Sequence, residues 1–241
     1  YLTRGVGAAV AVFYNDFSPR SQINQYNDFR SPQCSSVGGV PQISTCPNVA
    51  QLYKRGVENV GAELELSWRP AAIEGLELKG SVVVQNPKIN GAQYTLVESV
   101  RDPQGVITGY RANEVSEDGR RPRRLAKHML NFMPSYDLEH ATGIPLTVYG
   151  QYQFTGSRFS EATDRNVTLL PEYYILNAGA QYRYSDRLTA QLFVANVTDQ
   201  LSFTEGDPLF VDLLSPDGTR NRGVARPLLG RAVRFSVTYR F

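Results

Sequence analysis

The chain has 241 residues, a net charge of +2, 41% hydrophobic residues and 20% charged residues. So small a charge excess gives no footing for nucleic acid, which needs a basic face to neutralise phosphates. The longest apolar run, near Gly5 to Tyr14, is about half of the ~20 residues a membrane-spanning helix requires, whereas a barrel strand crosses in roughly 9–11 residues with only every second one apolar.

Tyrosine stands out: 14 residues against 2 Met and 2 Cys. The chain opens on Tyr1 with no signal-peptide pattern, and reads as a mature or truncated piece.

Taken in order, residues 2–14 read as a strand with Gly and Ala on the inner face. A short link (Asn15 to Pro19) follows, then a polar stretch at 20–30 read as a second strand, then a long link holding both cysteines. Val60, Ala62, Leu64, Leu66 and Trp68 alternate with Glu63, Glu65 and Ser67. A short link (Pro70 to Glu74) leads to Leu76, Leu78, Val82 and Val84, which oppose Glu77, Lys79, Ser81 and Gln85. A long link (Pro87 to Arg124) precedes segment 125–138, where Pro134 cannot donate to a ladder and predicts a bulge or strand end.

After a short link (Glu139 to Ile144), Leu146, Val148, Tyr152 and Phe154 oppose Thr147, Gln151, Gln153 and Thr155. After a long one (Ser157 to Pro171), Tyr174, Leu176, Ala178, Ala180, Tyr182 and Tyr184 oppose Asn177, Gly179, Gln181 and Arg183. Ser185 to Arg187 is short; Leu188, Ala190, Leu192 and Val194 then oppose Thr189 and Gln191. Thr198 to Gly230 is long, and the last strand places Val233, Phe235, Val237, Tyr239 and Phe241 against Arg234, Ser236, Thr238 and Arg240.

Period-two alternation gives each strand one apolar and one wet face. Strict alternation of short and long links is what an antiparallel transmembrane β-barrel with periplasmic turns and extracellular loops requires. The final strand then runs downward, with Phe241 at the periplasmic rim. Tyr14, Trp68, Tyr136, Tyr182, Tyr184, Tyr239 and Phe241 fall at one set of strand ends, and Tyr152, Phe154, Tyr173 and Tyr174 at the other. Two such girdles belong where aromatic rings meet lipid head groups. The count is about nine strands. Single-chain bacterial barrels have even numbers, so an N-terminal portion is expected to be missing.

Several stretches resemble the TonB-dependent outer-membrane receptor family. Ala195-Asn196-Val197-Thr198-Asp199 is similar to its N-L-[TF]-D motif. Thr204-Glu205-Gly206-Asp207-Pro208 is similar to its TEGNPR element, with Asp207 and Leu209 replacing the usual Asn and Arg. Arg226-Pro227 with Gly230-Arg231 resembles the lead-in to its last strand, and Val233 to Phe241 that strand itself. Val60 to Leu66 resembles its GxExE strand, and Leu170-Pro171 before Tyr173 its LPAY strand start.

The resemblance implies an all-β fold: about nine C-terminal strands of a 22-stranded barrel, a size class with a plugged lumen. It implies that residues 1–241 are the C-terminal portion of the barrel domain, with the plug and the TonB box N-terminal and absent from this chain. It further implies the outer membrane of a Gram-negative bacterium, and uptake of a scarce nutrient, most readily a ferric siderophore. TonB would act only through the missing part. Lipid, lipopolysaccharide and the barrel-assembly machinery would be partners, the last reading Tyr239 and Phe241. A passive porin-like channel and a soluble β-rich carbohydrate-binding module are the alternatives.

On that frame, Cys34 and Cys46 are expected to form a disulfide in an extracellular loop, because this compartment is oxidising and no CxxC or histidine lies near for a metal. Closing a loop of that length stabilises by about 3 kcal/mol in the chain-entropy model. Arg120, Arg121, Arg123 and Arg124 are candidates for an anionic ligand or lipopolysaccharide phosphate, against a plain reading as a loop stem paired with Glu117 and Asp118. Tyr94, Tyr110, Phe203 and Phe210 are candidate aromatic contacts in the outer loops. Glu63, Glu65, Lys79, Gln181, Arg183 and Arg234 are expected to face the lumen and hold the plug. His128 and His140 lack metal-ligand spacing. No GxSxG, HExxH, P-loop or GxGxxG occurs, so neither catalytic residues nor cofactors are expected.

Overall fold

The computed structural model describes residues 5–160, 169–207 and 224–241. In chain order the strands are β1 (Gly5–Asn27), β2 (Ser36–Val37), β3 (Val40–Pro41), β4 (Asn48–Arg69), β5 (Leu76–Asn90), β6 (Gln93–Arg101), β7 (Ile107–Ser116) and β8 (His128–Asp137). A one-turn helix, Glu139–Thr142, comes next. Then follow β9 (Leu146–Thr155), β10 (Arg158–Phe159), β11 (Leu169–Leu170), β12 (Tyr173–Arg183), β13 (Leu188–Ala195), β14 (Phe203–Asp207), β15 (Val224–Pro227) and β16 (Ala232–Tyr239).

Eight of these form one antiparallel sheet in the order β1-β4-β5-β8-β9-β12-β13-β16. The other eight pair as β2–β3, β6–β7, β10–β11 and β14–β15, and each pair lies within one of the four long links. The three links at the opposite end are short. Long and short ends therefore alternate as the sequence requires.

Register decides the faces. Val10, Leu64, Val82, Leu130, Phe154 and Tyr174 face one another in a single row across six strands. A second row runs Leu76, Tyr136, Val148, Ala180, Leu192 and Phe235. Among the described residues no second layer covers these rows: Val10 is 71% exposed and Phe235 67%. Among the described residues, the buried apolar side chains (Ile89, Ala92, Ala126, Phe159, Leu170 and Cys46) all sit in or beside the long links. An uncovered apolar face of this extent suits hydrocarbon and gives no support to a water-soluble module. On β4 it runs from Trp68 to Val60, ~26 Å along the strand at ~3.3 Å per residue, the scale of the apolar band of an outer-membrane barrel.

The first strand corrects the sequence reading. Residues 15–19 are not a link: β1 runs through them, paired with β4 except for a register shift between Phe17 and Arg20. Pro19 lies in that shift and, lacking an N–H, is confined to such an irregularity. The expected strands 2–14 and 20–30 are thus one element, and the main sheet has eight strands among the described residues. Tyr14 consequently stands mid-strand opposite Val60 and belongs to no girdle at the short-link end. The polar stretch at 20–27 continues β1 beyond the apolar band, which is why neither of its faces is apolar. β4 and β5 also reach further out than their alternation suggests, to Asn48 and Asn90. Pro134 keeps its place opposite Leu78, but the ladder to β9 lapses at Met133 and Pro134 without changing register.

On the polar face, two glycines admit rings from the neighbouring strand. A Cβ on Gly179 would lie 2.4 Å from Tyr149 Cζ, and one on Gly61 would lie 2.5 Å from Phe13 Cζ and 2.6 Å from the Val84 carbonyl oxygen. Gly61→Val is therefore expected to destabilise the sheet by about 1–3 kcal/mol, measured by denaturant unfolding of the full-length protein in detergent. Adding Phe13→Ala should not restore it, because the Val84 carbonyl still obstructs.

Candidate functional site

The long-link end gathers most of the buried polar groups. Beyond the apolar band, β1 and β4 continue as a ribbon, and the β6–β7 hairpin packs on its polar face. The Tyr53 and Tyr94 rings lie 5.1 Å apart. The Thr95 N–H donates to Gln51 Oε1 (2.7 Å), and Asn24 Nδ2 donates to the Thr95 carbonyl (2.6 Å). Ile89 and Ala92 are buried beneath Tyr53. The Tyr94 hydroxyl donates to Glu117 Oε1 at 2.9 Å, and Glu117 also pairs with Arg55 at 3.5 Å. Burial, then the Glu117 hydrogen bond and charge, hold the Tyr94 phenol well above its ordinary pKa.

A second outer unit is the loop stapled by the Cys34–Cys46 disulfide, Cα–Cα 4.4 Å. It carries the β2–β3 pair, and Phe29, in the segment leading into it, lies 5.8 Å from Tyr110 of the first unit.

The third unit is basic. Arg121 lies 4.6 Å over the Phe159 ring and donates to the Ser157 carbonyl at 3.1 Å. Arg158 is buried, lies 4.9 Å over the Tyr173 ring, and donates through Nη2 to the carbonyls of Phe203 (2.8 Å) and Thr204 (3.1 Å). Desolvation lowers its pKa from the usual guanidinium value. One carboxylate, Glu205, joins two links: Oε1 meets Arg124 at 3.1 Å and Oε2 meets Arg226 at 3.2 Å. Both arginines are more than half exposed. Glu117 serves Arg55 and Tyr94, and Asp118 accepts the Gly91 N–H.

The candidate residues are therefore dispersed. Arg121 and Arg124 enter the third unit. Arg120 is held by its backbone, accepting from Ile89 N and donating to the Glu117 carbonyl, and Arg123 is exposed. Tyr94 and Tyr110 face other parts of the outer loops, and Phe203 lends its carbonyl to Arg158. Phe210 lies outside the described residues.

On the polar face, Glu63 and Glu65 stand opposite Ala11 and Ala9 of β1. Lys79 shares Glu77 with Arg69, Arg183 pairs with Glu139, and Arg234 lies 5.6 Å over the Phe193 ring. Gln181 stands opposite Thr147. Arg158, Tyr173 and Arg226 were missed as site residues, as was the bridging role of Glu205. No periodic signal marks such residues, since they meet their partners across turns and between links and not at a fixed spacing along a strand.

The fourth feature explains a motif. Asn196 and Asp199 both have positive φ, 48° and 52°. Asn196 Nδ2 donates to the carbonyls of Gln200 and Leu229, both at 3.1 Å, and its Oδ1 accepts from Gln200 N at 2.9 Å. Asp199 Oδ1 accepts from Arg231 N at 2.8 Å. The Asn196-Val197-Thr198-Asp199 stretch thus closes the neck of the last long link.

A family model described as "TonB dependent receptor-like, beta-barrel" matches residues 1–197. A search of curated proteins found no match. Among solved structures, the chain is similar to the siderophore receptor PiuA from Acinetobacter baumannii (TM-score 0.55, 14% identity, covering 80% of this chain and 26% of that one). It is similar to the pyoverdine outer membrane receptor FpvA from Pseudomonas aeruginosa PAO1 (0.52, 16%, covering 98% and 27%). It is also similar to the FrpB iron transporter from Neisseria meningitidis (0.56, 14%, covering 98% and 29%). At these identities the likeness is one of fold. The chain spans between a quarter and a third of the length of those proteins.

The Tyr94–Glu117–Arg55 contact should hold the β6–β7 hairpin in place. Glu117→Leu leaves Arg55 uncompensated at a site where Glu117 is 7% exposed, and the expected result is faster proteolysis at the 102–106 tip. Because the folded state holds the Tyr94 proton more tightly than the unfolded chain, its stabilisation is complete below the ordinary phenol range and is lost as pH rises beyond about 10. Protease resistance of the tip should fall there, and Tyr94→Phe should abolish that pH dependence.

Proposed function

Because the chain belongs to the TonB-dependent receptor-like β-barrel family, we propose that residues 1–241 form the C-terminal portion of a receptor barrel in the outer membrane of a Gram-negative bacterium. The receptor binds a scarce nutrient and admits it to a lumen gated by a plug encoded N-terminal to this chain; TonB acts through that part. The protein works by capture and passage, without catalysis or a resident cofactor. Glu63, Glu65, Lys79, Arg183 and Arg234 line the lumen and contact the plug.

The cargo is anionic, and a ferric siderophore fits best. One observation carries this: Arg124 and Arg226 share the single carboxylate of Glu205 at the outer mouth, next to Arg121 and Arg158. An acidic chelate can compete with Glu205 for either exposed guanidinium, since charge-assisted bonds to planar donors favour such groups. Arg120 and Arg123, from the same run, and Tyr94, Tyr110, Phe203 and Phe210 add the outer-loop surroundings of the ligand. The names of the similar proteins, a siderophore receptor, a pyoverdine receptor and an iron transporter, support the reading.

Lipid and lipopolysaccharide meet the apolar rows and their outer margin. Tyr239 and Phe241, packed edge to face at 5.2 Å, present the terminal aromatic to the barrel-assembly machinery.

Two experiments test this. In the full-length receptor, Arg124→Gln with Arg226→Gln should weaken uptake of iron supplied as anionic chelates by at least tenfold at unchanged surface level; unchanged uptake refutes anion capture here. Uptake that persists without TonB indicates a passive channel instead. For the membrane placement, Phe235→Arg on the apolar face should cost about 2–4 kcal/mol if it lies near mid-bilayer, whereas Ser236→Arg on the opposite face should be tolerated. Folding yield into lipid vesicles reads the difference.

A further inference from the structure

A chain of side-chain amides crosses the polar face and ends in the backbone of the outer loop. Asn131, Gln151 and Asn177 come from the three consecutive strands β8, β9 and β12. Gln151 Nε2 donates to Asn131 Oδ1 at 3.3 Å, and Asn177 Nδ2 donates to Gln151 Oε1 at 3.1 Å. The backbone N–H of Asn196, just past β13, then donates to Asn177 Oδ1 at 2.9 Å.

That last bond sets the polarity of the whole chain. A backbone N–H can only donate, so Asn177 must turn its oxygen to it and its NH2 to Gln151. Gln151 must then accept from Asn177 and donate to Asn131. Gln151 and Asn177 each use one donor and one acceptor in this way and keep a further N–H and lone pair for other groups, while Asn131 enters the chain as an acceptor.

The receiving end is the neck already described. Asn196 is buried, sits in the left-handed region at φ 48°, and grips Gln200 and Leu229 from the two sides of the last long link. A second bond, Val197 N to the Leu176 carbonyl at 2.7 Å, joins the same neck to β12. A non-glycine residue in this conformation persists only where its surroundings hold it, and here part of the hold comes from inside the barrel.

We propose that Gln151 and Asn177 are positioning residues that set the neck of the outer loop from the lumen wall, so that a polar group arriving in the lumen loosens the loop by competing for their amides. The description of this face as lumen rests on the barrel reading above; the bonds do not. Cooperative amide chains lose more than one link when an inner member is removed, so the effect of Gln151 should reach Asn196 although the two do not touch.

The test is hydrogen exchange of the full-length receptor in detergent, followed in peptides covering 194–202 and 226–232. Asn177→Leu should speed exchange at the neck at least fivefold. Gln151→Leu, which removes the middle link as a competing group would, should speed it two- to threefold. Asn177→Asp should leave the neck protected, because its carboxylate still accepts from Asn196 N–H while Gln151 turns its amide around. Gln191→Leu is the control: Gln191 lies on the same face but donates to the Tyr149 hydroxyl at 2.6 Å, and the neck should not respond. Should Asn177→Leu fail to fold, Gln151→Leu and Asn177→Asp carry the test. A neck unchanged in Gln151→Leu, or exchanging in Asn177→Asp as fast as in Asn177→Leu, overturns the proposal. No transport is measured, so a failed uptake assay and a failed exchange result remain separate findings.

Discussion

Strand register is the constraint on which everything else depends. Side chains alternate with a period of two, so a slip by one residue would carry every apolar side chain of a strand to the polar face. The unbroken row from Val10 on β1 to Tyr174 on β12 therefore reports one register held across six strands. No second layer lies over that row among the described residues, so register alone decides which side chains share the uncovered apolar face. Backbone pairing holds that register, since a desolvated N–H or C=O left unpaired is costly.

The two ends of the sheet solve different problems. At the short-link end the chain only has to reverse, and glycines in the left-handed region do this, as at Gly75 with φ +86° and Gly143 with φ +73°. At the other end the links are long enough to build secondary structure of their own, and that is where apolar burial occurs. Tyr53, Ile89 and Ala92 form a small core under the β6–β7 hairpin. Buried charges there are matched with specific partners, Arg55 to Glu117 and Arg158 to backbone carbonyls and a Tyr173 face. A buried charge is stable only with such partners.

The family motifs acquire a physical meaning from this arrangement. Asn196 and Asp199 clamp a loop neck, and Glu205 bridges two links. Both hold long links in register with strands whose polar faces carry the amide chain. The amide chain joins the neck of the last long link to the polar face of β8, β9 and β12.

Strand alternation and the rhythm of short and long links were legible in the amino-acid sequence, because both depend on residues near each other along the chain. Val60, Leu64 and Leu66 share one face of β4, and Glu63 and Glu65 the other, for that reason. Residues 15–19 misled because a proline and a polar run mark a turn and a bulge alike; only pairing with β4 distinguished them. The partners of Arg124, Arg158 and Tyr94 were not legible. Arg124 and Arg158 find partners in another long link, Tyr94 finds Glu117 23 residues further on, and nothing local encodes which carboxylate or ring meets which cation. The sequence by itself determined that one face of each strand is apolar and which link ends belong together. Only the tertiary structure decided which side chains meet at the mouth, because those contacts follow from lateral strand order, a long-range property with no period.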